Sequence, residues 1–112
     1  MKITPVASAV SKPNPHGVDA RKIYDSQAGE VMHLMLEPGQ EMKKHVTPVD
    51  VFFYVLEGTG TVEIGDEQRE VGPDTLVESP KGIPHRWLNN SEGRVRVLVA
   101  KLPKPSEKTR ML

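Results

Sequence analysis

The sequence predicts one all-β domain of the barrel or jelly-roll kind. Short apolar runs rich in Val, Leu and Ile recur from Arg21 to Lys101, and Gly, Pro, Asn or Asp punctuates them. That alternation of strand text and turn text marks a small closed β-architecture. No stretch keeps a 3.6-residue apolar period over the length of a helix. A third observation sets the size: 112 residues make one core and leave no room for two.

Taken in order, residues 1–20 carry Pro5, Pro13, Pro15 and Gly17 and read as an extended arm, with one edge strand over Val6–Val10. Strands are then expected at Arg21–Tyr24, Glu30–Leu36, Glu41–His45, Val51–Leu56, Thr59–Ile64, Gln68–Val71, Thr75–Glu78, His85–Leu88 and Arg94–Lys101. Pro38-Gly39, Gly58, Gly65-Asp66, Gly72-Pro73-Asp74, Pro80-Lys81-Gly82 and Asn89-Asn90 supply the turns between them. In Thr59–Ile64 polar and apolar residues alternate before Gly65-Asp66 closes a tight hairpin. Val51–Leu56 is apolar on both faces, and such a strand is expected to be covered on both. In a small barrel its outer cover is a second subunit, the arm or the fold's own packing; a homodimer is the expectation. The barrel domain is set at 21–102, and the polar, Pro-broken tail 103–112 is expected to hang loose.

Composition removes whole classes of function. Formal net charge is zero and the pI is near 6.9, so nothing concentrates the basic charge that a nucleic acid or an anionic membrane surface demands. Without Cys there are no disulfides, thiolate ligands or thiol nucleophiles. The first ten residues contain no continuous apolar core of a signal peptide, and no run has the length of a membrane span. A cytoplasmic protein is expected. Phosphate loops, nucleophile elbows and HExxH motifs are absent, and Ser79 with His85 has no visible triad partner.

Two stretches carry the functional information. Gly39-Gln-Glu-Met-Lys-Lys-His45-Val-Thr47-Pro48 leads into Val51 and the run Phe53-Tyr54-Val55-Leu56-Glu57-Gly58 with Gly60. Pro80-Lys-Gly82-Ile-Pro-His85-Arg-Trp-Leu-Asn89 follows. Their order and spacing resemble the two motifs of the cupin superfamily, the second at every position. The resemblance implies a double-stranded β-helix, a homodimer, and a divalent transition metal (Fe, Mn, Ni or Zn) held by three His and one Glu. His45 and His85 occupy two of those ligand places; Thr47 stands where a second His is expected and Val51 where the Glu is expected.

Imidazole suits such metals, and a barrel lumen can bring distant residues together. Two ligands seldom hold an ion, so a third is sought. His33 interrupts the apolar segment Val31–Leu36, and a set of His33, His45 and His85 would leave open positions for water and substrate. Asp50 is the other candidate, but regular strand parity turns it outward, and only a bulge near Pro48 would bring it in. Thr47 keeps the parity of His45 and is expected to face the lumen as a hydrogen-bonding group. Phe53 and Trp87 are candidate walls for a bound ligand, Trp87 through stacking or simply as core. Asn89 is expected to cap a turn, Gly82 to take a positive φ, and His16 in the arm to be solvated.

Two functions follow. One is a metal-dependent enzyme on a small organic substrate, of the dioxygenase or isomerase kind that the resemblance implies. The other is a non-catalytic barrel that has lost part of the metal site and holds a small ligand through His45, Thr47, His85 and Trp87.

Overall fold

The computed structural model describes residues 1–112. After a 3-10 turn at Val6–Ser8 the strands are β1 (Asp19–Ser26), β2 (Gly29–Leu36), β3 (His45–Val46), β4 (Asp50–Glu57), β5 (Gly60–Ile64), β6 (Glu67–Val71), β7 (Thr75–Ser79), β8 (His85–Leu88), β9 (Val95–Leu102) and β10 (Arg110–Met111). They form two five-stranded antiparallel sheets, ordered β1-β2-β9-β4-β7 and β10-β3-β8-β5-β6. No helix is long and apolar enough to cross a membrane.

Period-two side-chain alternation puts Leu34 and Leu36 of β2, Val51, Phe53 and Val55 of β4, and Val95 and Val97 of β9 in the space between the sheets. Val62 and Trp87 meet them from the opposite sheet. Trp87 is fully buried, edge-on to Phe53 at 5.5 Å between centroids. Its ring lies directly on Gly60, where a Cβ would come within 2.8 Å of Cε3 and 3.1 Å of Val95 Cγ1. Only glycine admits that contact, which accounts for Gly60 physically. Asn89 does cap its turn: Nδ2 donates to the Leu36 and Gly93 carbonyls, and Oδ1 accepts from the Ser91 N–H and hydroxyl. Gly82 takes φ +77°.

Three segments differ from expectation. Val6–Ser8 is a turn, not an edge strand, because the Val6, Ala7 and Ala9 carbonyls converge on Arg21 Nη1, itself oriented by Asp19. An extended chain could not aim those carbonyls at one guanidinium. The tail does not hang loose throughout: Arg110 and Met111 pair with Val46 and His45 as β10. The strand expected at Glu41–His45 is reduced to a bridge at Glu41 and the two residues of β3. At Lys43 the ladder stops because imidazoles take both backbone groups; its N–H donates to His16 Nδ1 and its C=O accepts from His45 Nδ1.

Outside the barrel, Phe52, Tyr54 and Leu56 on the other face of β4 are only half-covered within one chain. Leu76, paired with Tyr54 across β4 and β7, is half exposed.

Candidate functional site

One end of the lumen is packed by Trp87, Phe53, Val95 and Val97; the other holds a cavity of about 270 Å³. Its apolar wall comes from Met32, Leu34, Met42, Phe53 and Val99. Its polar groups are Asn14, His16, His45, Thr47, His85, Lys101 and Thr109. A larger concavity of about 720 Å³ opens beside β6 and β7; it is lined by Asp66, Glu67, Arg69 and Glu78 among others and contains no imidazole. The imidazoles gather in the smaller space, which is the candidate site.

His45 and His85 are register partners on β3 and β8, so strand pairing alone sets their rings side by side, T-shaped at 4.6 Å. His45 donates from Nδ1 to the Lys43 carbonyl at 2.8 Å, which leaves Nε2 as an acceptor. His85 is held at both nitrogens. Nδ1 meets Ser79 Oγ at 2.6 Å and Nε2 meets Thr47 Oγ1 at 3.1 Å. A neutral imidazole has one N–H and one lone pair, so one hydroxyl accepts from the ring and the other donates to it. Ser79 lies behind His85 and does not line the cavity.

The third imidazole is His16, which was expected to be solvated. Asn14 Oδ1 accepts from the His16 N–H, Asn14 Nδ2 donates to the Val18 carbonyl, and Gly17 turns at φ +67°. That turn swings His16 over the cavity, 4.7 Å from the His45 ring. Because His16 Nδ1 accepts from Lys43, its proton sits on Nε2 when the ring is neutral.

All three rings resist protonation. Burial, then the neighbouring His45, Lys101 and His16, push His85 down to about 3. Burial, then His45, Lys43 and Lys101, bring His16 down to about 4. Burial also lowers His45, against the Lys43 carbonyl, which favours its charged form. Lys101 itself is lowered by burial, with Glu30 opposing and Lys22 reinforcing.

Of the candidate site residues, His45, His85, Thr47 and Phe53 come together around the cavity. Three do not. His33 is buried on the other face of β2, where Nε2 accepts from Arg96 Nε at 2.9 Å and Nδ1 has no partner. The Met32 and Leu34 side chains on either side of it point inward, so parity sends His33 out. Asp50 stays outside, accepting from the Lys81 N–H at 2.9 Å; no bulge at Pro48 turns it in. Trp87 backs Phe53 in the core and does not reach the cavity. Sequence reasoning missed Lys101, although the inward row Val95, Val97, Val99, Lys101 was readable from alternation. It also missed His16, for which no sequence signal of docking exists.

The donor set does not fit the metal that the fold implies. Both nitrogens of His85 are engaged by hydroxyls, no carboxylate lines the cavity, and no group of three or more His, Asp or Glu side chains is arranged to hold an ion.

A family model described as a cupin domain matches residues 32–101. No curated protein matches the sequence. Among solved structures, the chain is similar to TT1209 from Thermus thermophilus, with 29% identity over 94% of this chain and 100% of that one, at a TM-score of 0.79. It is also similar in fold to the polyketide cyclase RemF from Streptomyces resistomycificus, with 22% identity, 100% and 85% coverage, and a TM-score of 0.83. A conserved double-stranded β-helix protein from Klebsiella pneumoniae matches at 16% identity, covering 100% of this chain and 99% of its own, with a TM-score of 0.83.

Proposed function

The chain belongs to the cupin family, and from that premise we propose that its lumen binds a small, largely apolar organic molecule without a metal ion. The observation that carries this reading is the saturation of His85 by Ser79 and Thr47. Where the family's resemblance implies a metal ligand, this chain has a threonine hydroxyl hydrogen-bonded to His85 Nε2, so His85 presents no free nitrogen to the cavity. The cavity, at about 270 Å³, falls just below the range for small-molecule sites, about 300–1,000 Å³, and corresponds to on the order of nine water volumes of ~30 Å³ each. His45 Nε2 offers an acceptor and His16 Nε2–H a donor, enough to orient one polar group of the ligand. Neutral rings at ordinary pH make hydrogen bonding or proton exchange with the ligand their chemistry.

Mass spectrometry of untagged protein, before and after incubation with Fe, Mn, Ni and Zn salts, tests this directly. The expected result is no stoichiometric metal, together with at least one organic compound in a thermal-shift screen whose effect disappears in His45→Ala. The competing reading, a metal-dependent enzyme, draws on the proximity of three imidazoles, at 4.6 and 4.7 Å between successive ring centroids. One divalent ion per chain, lost in both His45→Ala and His85→Ala, would overturn the metal-free reading and establish the metal site, and oxygen-consumption assays would then test catalysis.

We also infer a homodimer through the outer face of β4, where Phe52, Tyr54 and Leu56 are only partly covered within one chain and Leu76 beside them is half exposed. A second copy supplies that cover. Sedimentation equilibrium on wild type should give twice the chain mass, and Tyr54→Lys should shift it toward the monomer; a monomeric wild type at micromolar concentration removes the inference.

A further inference from the structure

We propose that the ligand is a small organic anion, a carboxylate on an apolar body, with Lys101 as its charge partner. The inference rests on the receptor reading above and adds the class of molecule. Lys101 ends the inward row of β9 and is half-buried at the cavity. It is the one charged residue among those lining that space besides the three titratable imidazoles, and no Asp, Glu or Arg lines it. None of the molecule's ion pairs involves it. Its cross-strand neighbour Glu30 is the nearest candidate, yet Lys22 holds that carboxylate at 3.1 Å, and Asp25 further engages Lys22 at 3.6 Å.

A half-buried ammonium without a counter-charge is costly, and cores seldom retain one. A ligand that brings the missing negative charge recovers that cost on binding. The polar groups around Lys101 suit a carboxylate: an ammonium, and the Nε2–H of His16 as a neutral donor. The walls argue for an organic anion over an inorganic one, since Met32, Leu34, Met42, Phe53 and Val99 offer no donors to a phosphate and much apolar surface to a hydrocarbon body. The protein's zero net charge sharpens the point, because the preference is local to this cavity.

Calorimetric titration of the full chain with hexanoate and with hexanamide, alike in size and shape but not in charge, tests the assignment. Hexanoate should bind tenfold or more tighter than hexanamide. Lys101→Met should erase that preference while hexanamide still binds, and Lys101→Arg should keep it. Lys101→Gln serves as a second neutral variant, with cooperative thermal unfolding as the check that each variant is folded. Equal affinities for acid and amide, or a preference that survives both neutral variants, overturn the anion assignment and leave the receptor reading standing. Phosphate displacing hexanoate at equal concentration overturns the organic part. No heat from either probe overturns the assignment as stated, while the broader thermal-shift screen judges the receptor reading separately.

Discussion

The two ends of this lumen are built from the same strands and obey different physics. At the closed end β4, β8 and β9 contribute Phe53, Val55, Trp87, Val95 and Val97, all essentially without solvent contact. At the open end the same alternation delivers Lys101 from β9 and His85 from β8, with His45 beside them from β3. Packing determines everything at the first end, down to the missing side chain at Gly60. Polar satisfaction determines the second, where three imidazoles take up backbone and hydroxyl partners to remain neutral. A barrel thus separates a part that holds the fold from a part that can change ligand, and mutations should divide along that line.

The largest effect is expected at the closed end. Trp87→Ala should cost about 3–5 kcal/mol of folding stability, read as a drop in the urea midpoint. Gly60→Val should be similarly damaging, because its side chain enters the space of a fully buried ring. A small effect from either would mean that the closed end relaxes, and the contrast would fail.

The open end should carry acid sensitivity, to which His33 on the outer face of β2, lowered by burial and Arg96, adds. His85 and His16 have native pKa values of about 3 and about 4 against 6.5 for the free side chain. The unfolded chain therefore binds more protons below 6.5, and stability falls as the pH drops from there toward those values. Each ring contributes at most about 1.4 kcal/mol per pH unit. Above 6.5 these rings contribute no pH dependence. Urea melts of wild type and His85→Gln across this window should show a shallower acid loss in the variant; identical slopes would refute the burial of a neutral His85.

A smaller loss is expected for Ser79→Ala, which strands His85 Nδ1 in the core at about 1–3 kcal/mol. Thr47→His should change metal binding most. It puts an imidazole where the family resemblance implies a ligand and frees His85 from its hydroxyl partner. Uptake of a divalent ion by this variant and not by wild type, followed by mass spectrometry, would tie metal loss to one residue. Wild type and variant behaving alike would separate Thr47 from metal binding.

Much of this was legible along the chain. Turn chemistry and alternation located almost every strand, the spacing of His45, His85 and Asn89 identified the family, and parity placed Thr47 in the lumen and Asp50 outside it. Those readings depend on local geometry, in which side chains alternate and turns select their residues, so neighbours in sequence suffice to make them. The remainder came from contacts between distant segments. His33 faces outward because Met32 and Leu34 on either side of it point into the lumen, and which face of this apolar strand turns inward is decided by how β2 docks beside β9, not by local pattern. His16 joins the site because an Asx turn at Asn14 lets it capture the Lys43 N–H, 27 residues away. The tail adds Thr109 and Met111 to the cavity by pairing beside β3. The sequence by itself determined the fold and two of the site histidines; the tertiary structure decided which polar groups share the cavity. That outcome depends on where the arm and tail dock, and docking follows burial and hydrogen bonding across the whole molecule.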